Sequence, residues 1–179
     1  ERNFLGVDLK GNRIWVGAKT ALKEKLINVA FLRSQIDTVD SYFQKEEVSE
    51  LWITFPDPQL RSSKHKKRLT HPKFLRLYQK ILKQDGPIHL KTDSPVLYLF
   101  TKKVIELCNL TLITDINDLY QEKEMGAELQ IKTHYEGLDI AQSNRIHYLR
   151  FSLPAASIKL KKDSLLKDWV FDSEKESTT

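Results

Sequence analysis

The residues of this chain with the clearest capacity for chemistry are an aspartate wedged between two prolines and the cations that follow it. Leu51 to Pro58 reads LWITFPDP, and Arg61-Ser62-Ser63-Lys64-His65-Lys66-Lys67-Arg68 comes almost at once after it. Pro56 has no N–H with which to continue a strand ladder. Pro58 drives the residue before it out of the helical region, so Asp57 is expected on a stiff extended turn that aims its carboxylate. The basic run contains no acid and concentrates positive field where the phosphates of a polyanion could be neutralised. The plain alternatives are a capping aspartate before a loop and a solvated charged face, because Asp beside Pro is common turn chemistry.

Two further acids close predicted strands: Asp8 after Asn3 to Val7, and Asp93 after Ile88 to Thr92. In open α/β sheets ligands sit beyond the carboxyl ends of the strands, which makes Asp57 a site candidate on geometry alone. An acid at the position of Asp8 suits the ribose hydroxyls of a nucleotide, a device common to NAD and S-adenosylmethionine enzymes; a helix N-cap or an ordinary surface acid is the other reading. Asp93 could equally be a strand-end cap.

The elements that must hold these residues follow from periodicity. Ile14, Ala18, Ala21 and Leu22 recur at helical spacing, Asn28 to Leu32 reads as a strand, and Ile36, Val39 and Phe43 mark a helix before the apolar strand Leu51 to Phe55. This βαβαβ alternation implies a parallel sheet. Phe74, Leu75, Tyr78, Ile81 and Leu82 form a helical face stopped by Asp85-Gly86-Pro87, and Val96, Leu97, Phe100, Val104, Ile105 and Cys108 form another. Leu110 to Ile113 and Ile146 to Phe151 read as late strands suited to antiparallel pairing, and Leu165, Leu166, Trp169 and Val170 as a helical face packed on its own domain. Residues 1–171 are expected to form one domain, with 172–179 a polar, disordered tail.

Lys plus Arg exceed Asp plus Glu by 29 to 24, a net charge of +5 that is too modest to name a partner without the clustering at residues 61–68. The single cysteine, Cys108, excludes an internal disulfide and fits a reducing cytoplasm. There is no apolar stretch approaching the roughly 20 residues of a membrane span and no signal-peptide pattern. The histidines show no zinc-type spacing with Cys108, so no metal is expected, and no Gly-x-Ser-x-Gly elbow points to a serine hydrolase.

FPDP, the basic run after it, His89-Leu90-Lys91-Thr92-Asp93 and Lys132-Thr133-His134-Tyr135-Glu136 occur in the order in which the bacterial tRNA (guanine-N(7)-)-methyltransferases carry such motifs, and the chain resembles that family from about Asn3 to Phe151. The resemblance implies an α/β, Rossmann-like methyltransferase fold, mostly a parallel sheet with helices on both faces and an antiparallel late strand pair. It implies S-adenosyl-L-methionine as cofactor, tRNA as partner, a cytoplasmic location, and methylation of the 7-nitrogen of a guanosine in the variable loop. By the same resemblance Asp57 is the active-site residue and touches the cofactor, which Asp8, Gln35 and Ile36 also bind. Arg61, Asp93, Thr133, His134, Tyr135 and Glu136 contact the substrate, and Lys64, Lys66, Lys67 and Arg68 are expected at tRNA phosphates. The carboxylates suit guanine's donor edge, its ring N–H and exocyclic amine.

The family's first strand and glycine-rich loop are expected before Glu1; Gly6, Gly11 and Gly17 are wrongly placed to replace them, so weak cofactor binding by these residues alone is expected. Gln35 stands where the family often has an acid, Gln59 where a tryptophan is usual, Ser94 where one often follows the aspartate, and His134-Tyr135 where Lys-Phe is common. His134 titrates near neutrality, which would make phosphate affinity there depend on pH. The competing readings are a catalytically silent tRNA- or RNA-binding protein and an NAD-binding Rossmann oxidoreductase.

Overall fold

A two-stranded parallel ribbon begins the chain. The computed structural model describes residues 2–123, 125–133, 136 and 145–176. Strand β1 (Phe4–Asp8) leads through helix α1 (Gly11–Lys23) to β2 (Val29–Arg33), and the two strands pair in parallel with Phe4 opposite Val29 and Asp8 opposite Arg33. Gly6 on β1 and Gly17 on α1 leave room for the Phe31 ring; a Cβ would come within 2.9 Å of it at Gly6 and 2.6 Å at Gly17. These glycines therefore serve the packing of the helix on its strands.

After β2 the expected helix is a 3₁₀ turn, Ile36–Ser41, which buries Val39 and ends before Phe43. Local hydroxyls explain the difference. Thr38 Oγ1 donates to the Gln35 carbonyl at 3.1 Å and Ser41 Oγ to the Thr38 carbonyl at 2.7 Å, competing with the i to i−4 pattern of an α-helix. Residues 1–42 form one unit and residues 43–179 a second.

The second unit holds β3 (Leu51–Thr54), α2 (Pro72–Ile81), β4 (Pro87–Thr92), α3 (Pro95–Cys108), β5 (Thr111–Ile116), the single turn α4 (Ala127–Gln130), β6 (His147–Ser152) and α5 (Lys161–Glu176). Its sheet runs β3-β4-β6-β5. β3 and β4 are parallel, whereas β6 lies between β4 and β5 and is antiparallel to both. The late strands thus pair antiparallel, as their sequence suggested, with a register shift between Leu112 and Thr114.

Residues directly opposite across a ladder share a face. Ile88, Leu90 and Thr92 with Phe151, Leu149 and His147 make one face, buried beneath α3, whose Tyr98 ring stacks on His147 at 4.5 Å. Trp52, His89, Lys91 and Tyr148 make the other, over which Leu119, Met125 and Leu129 pack. The α2 face of Phe74, Leu75, Tyr78 and Ile81 is buried as its spacing requires. On α5, Leu166 and Val170 are buried and Leu165 is exposed. This helix continues to Glu176, into the stretch expected to be a disordered tail, because each added residue gains a hydrogen bond without the cost of a new nucleus. No helix among the described residues is long and apolar enough to cross a membrane.

Candidate active site and nucleic-acid interface

The turn after β3 is built against the grain of its residues. Phe55 has φ 47° and Gln59 φ 48°, left-handed conformations that a bulky side chain adopts only when its surroundings impose them. The impositions are visible. Phe55 N donates to the Lys91 carbonyl at 2.8 Å, tying the turn to β4, and Asp57 Oδ1 accepts from Gln59 N at 2.9 Å, closing a small Asx turn. Arg68 Nε donates to the Pro58 carbonyl at 3.0 Å and Nη2 to the Gln59 carbonyl at 3.1 Å. Asp57 is left exposed at the carboxyl end of its strand.

Arg68 is therefore a scaffold group rather than a surface cation. It is 3% exposed, its guanidinium lies 4.5 Å from the centre of the Phe100 ring, and burial lowers its pKa below the usual arginine value. The remaining cations of the run are Arg61, which caps a 3₁₀ turn over Ser62–Lys67, and Lys64, Lys66 and Lys67 within it, and all four are exposed. Buried groups hold that turn in place: His65 Nδ1 lies 2.7 Å from the Ser62 carbonyl, Tyr78 Oη donates to the Leu69 carbonyl at 3.1 Å, and Thr70 and Thr101 share a hydrogen bond of 2.8 Å. The alternation of two buried and four exposed positions is what a tight turn of three residues per revolution produces.

Asp93 follows β4 in the short turn to α3. Ser94 N donates to Thr92 Oγ1 at 3.1 Å, and Ser94 Oγ accepts from Leu97 N at 3.3 Å, so the serine that departs from the family pattern caps the helix. Asp93 is half-buried. Since β3 and β4 are parallel neighbours with Thr54 opposite Lys91, Asp57 and Asp93 leave the same edge of the sheet. That edge is the ligand-binding edge of an open α/β sheet.

Glu136 is bound to this unit through Lys91. Its Oε1 lies 3.0 Å from Lys91 Nζ and accepts from Tyr120 Oη at 3.3 Å, while Oε2 accepts from the Thr133 backbone N–H. Thr133 is half-buried, and His134 and Tyr135 lie outside the described residues. Beneath, Trp52 stacks on His89 at 4.0 Å, His89 Nδ1 lies 2.7 Å from Tyr148 Oη, and His89 Nε2 lies 3.2 Å from Glu50 Oε1. Burial holds His89 down to about 4 in spite of Glu50, and holds Tyr148 up to about 12. The pair is consequently neutral at pH 7 and stiffens the floor of the sheet rather than moving protons.

Asp8, Gln35 and Ile36 belong to the first unit and share its carboxyl edge, where Ser34 N donates to the Asp8 carbonyl at 3.3 Å. Asp8 Oδ1 accepts from Lys10 N at 2.8 Å and Oδ2 lies 3.4 Å from Arg13 Nη1, which leaves each oxygen a further lone pair. Gln35 is exposed and Ile36 half-buried. A carboxylate for vicinal hydroxyls, an amide that both donates and accepts, and an apolar side chain fit the adenosine portion of the cofactor that the resemblance implies.

Sequence reasoning missed the inward turn of Arg68 and the burial of Lys91. The second had a signal in the alternation of Ile88-His89-Leu90-Lys91-Thr92, which places a lysine within a strand whose other face is apolar. Among the described residues no group of three or more His, Cys, Asp or Glu could hold a metal ion.

The family model described as "Putative methyltransferase" matches residues 1–149. The chain is 48% identical to a tRNA (guanine-N(7)-)-methyltransferase of Porphyromonas gingivalis over 86% of its own length and 62% of the relative's. It is 43% identical to one of Christiangramia forsetii, over 86% of this chain and 69% of the relative. It thus spans between about three-fifths and seven-tenths of these relatives. Among solved structures, geranyl diphosphate C-methyltransferase of Streptomyces coelicolor A3(2) superposes with a TM-score of 0.53 at 12% identity, covering 84% of this chain and 64% of that one, a likeness of fold. The fold is the α/β, Rossmann-like fold of S-adenosylmethionine-dependent methyltransferases, and the chain belongs to the tRNA (guanine-N(7)-)-methyltransferase family.

Proposed function

We propose that the protein transfers a methyl group from S-adenosyl-L-methionine to the 7-nitrogen of a guanosine in the variable loop of tRNA. The observation that carries this reading is the departure of Asp57 and Asp93 from one edge of adjacent parallel strands, with the exposed cations Arg61, Lys64, Lys66 and Lys67 in the segment that follows Asp57. S-adenosylmethionine, when bound, supplies an electrophilic methyl group on a sulfonium. Guanine N7 carries an in-plane lone pair and no hydrogen, so no residue has to remove a proton.

The work left to the chain is alignment and charge stabilisation. Asp57, held outward by the strained turn and Arg68, stabilises positive charge as it passes to the purine. Asp93 accepts from the guanine N–H groups, and Arg61, Thr133, His134 and Tyr135 contact the acceptor, while the Glu136 carboxylate, expected from the resemblance at the substrate, is turned inward to Lys91 and supports that segment instead. Lys64, Lys66 and Lys67 meet phosphates, while Arg68 supports them from below. Asp8 holds the cofactor's ribose and Gln35 and Ile36 its adenine. The family model runs through both units, which supports reading residues 1–171 as a single catalytic domain. Action on tRNA and the absence of a membrane-crossing helix among the described residues favour the cytoplasm.

The test is transfer of labelled methyl to unmodified tRNA, with tRNA carrying 7-deazaguanosine at the modified position as control. Label is expected on the first and none on the second; equal labelling would move the reaction to another atom, and retardation of tRNA without label would leave a binding protein. Asp57→Asn should keep the contact to Gln59 N and the thermal midpoint while lowering turnover by about 10²–10³-fold, the usual loss when one transition-state contact goes.

A further inference from the structure

Lys91 is the least expected cation of the second unit. It sits on a strand interior with its side chain 3% exposed, and its ammonium has three partners: the Leu129 carbonyl at 3.2 Å, the Ile131 carbonyl at 2.9 Å and Glu136 Oε1 at 3.0 Å. The Glu136 side chain is only 2% exposed. The three acceptors, on Leu129, Ile131 and Glu136, are close in sequence and meet the ammonium on the His89 and Lys91 face of the sheet. At its other end Lys91 is fastened to the active-site turn, since its carbonyl accepts from Phe55 N at 2.8 Å.

Taking a lysine out of water is costly unless its charge is paired and its N–H groups are used. Here the three donors of an ammonium meet three acceptors, so the group is satisfied only while Leu129, Ile131 and Glu136 stay docked. A segment held by one side chain in this way has a docked population that the side chain sets.

We propose that Lys91 is a positioning residue: it clamps the segment carrying Thr133 and Glu136 onto β4, and through its backbone holds that segment in register with the turn that presents Asp57. This deepens the methyl-transfer reading and rests on it for the identity of the acceptor. The clamp itself concerns the docking of Leu129, Ile131 and Glu136 and is decided without any activity. Glu136 contributes by keeping the ammonium paired, with Tyr120 Oη steadying the shared oxygen.

The experiment compares the full chain with its Lys91→Met, Glu136→Gln and double variants by amide hydrogen exchange and by labelled methyl transfer to tRNA. Lys91→Met is expected to speed exchange in residues 119–133 by about tenfold or more while leaving α2 and α3 protected. It should raise the KM for tRNA more than it lowers kcat, with the KM for S-adenosylmethionine unchanged, because only the docked fraction receives the acceptor. The double variant, which removes both buried charges, should exchange more slowly than Lys91→Met alone.

Unchanged exchange in that stretch, a loss confined to kcat, or losses that simply add in the double variant would overturn the clamp. If Lys91→Met does not fold, Glu136→Gln decides by the same exchange measurement, since it removes the pair and leaves the two carbonyl contacts. If the unsubstituted protein transfers no methyl group to tRNA, the functional reading fails while the exchange result still judges the clamp.

Discussion

Arg61 and Arg68 lie in one basic run but do different work. Arg61 is exposed, whereas Arg68 is buried and donates to the carbonyls of Pro58 and Gln59. Replacing Arg68 by methionine leaves those part-buried carbonyls without their donor, at a cost of at most about 1–3 kcal/mol for each. Denaturant titration should register that loss together with weakened methyl transfer. Lys67→Ala should leave stability within about 0.5 kcal/mol and reduce the salt dependence of tRNA binding by about one counterion. Composition alone could not separate these residues, because the partners of Arg68 are backbone atoms of a turn nine and ten positions earlier. Asp57 was legible for the opposite reason: two flanking prolines restrict its backbone locally, whatever the rest of the chain does.

Helix α3 connects sequence to site through its first turn. Ser94 Oγ accepts from Leu97 N, and Pro95 occupies the first helical position, so the cap is complete and the positive end of the helix lies next to Asp93. Ser94→Ala should cost about 1 kcal/mol of stability by urea denaturation. Helix α5 is tied to α2 by Arg76, whose Nη1 and Nη2 donate to Asp163 at 2.9 and 2.7 Å. Burial pushes the Asp163 carboxyl up, but the Arg76 hydrogen bonds and charge outweigh it and leave it below 3.8. With the folded value depressed, this contribution is present above pH 3.8 and is lost as pH falls through the lower folded value. Asp163→Asn should therefore destabilise the protein at pH 7, and the difference from the parent should narrow as pH falls below 3.8, measured by urea denaturation at each pH. The apolar faces of α2 and α3 were readable because burial repeats at the helical period. The 3₁₀ turns at 36–41 and 62–67 were not, since serine and threonine hydroxyls or buried histidine contacts decide them.

At the scale of the whole molecule, His65, His71, His89 and His147 are all buried and all titrate below their usual value of 6.5, with desolvation the leading cause. For His71 and His89 the value falls to about 4. Unfolding exposes them to protonation, so the unfolded chain binds more protons between pH 6.5 and about 4, and stability must fall as pH drops through that window. The thermal midpoint should be level above pH 7 and decline steadily towards pH 4; a flat profile from pH 7 to 5 would contradict the burial of these rings. His71→Gln should flatten part of that slope. Strand and helix periods, proline-restricted turns and the spacing of four motifs were present in the linear chain, because each depends on neighbours within a few residues. The insertion of β6 between β4 and β5, the burial of Arg68 and the contacts of Lys91 with Leu129, Ile131 and Glu136 depend on atoms brought together from distant positions. Folding decides those, since a buried charge or a strand order is set by whichever distant groups satisfy it once water has been excluded.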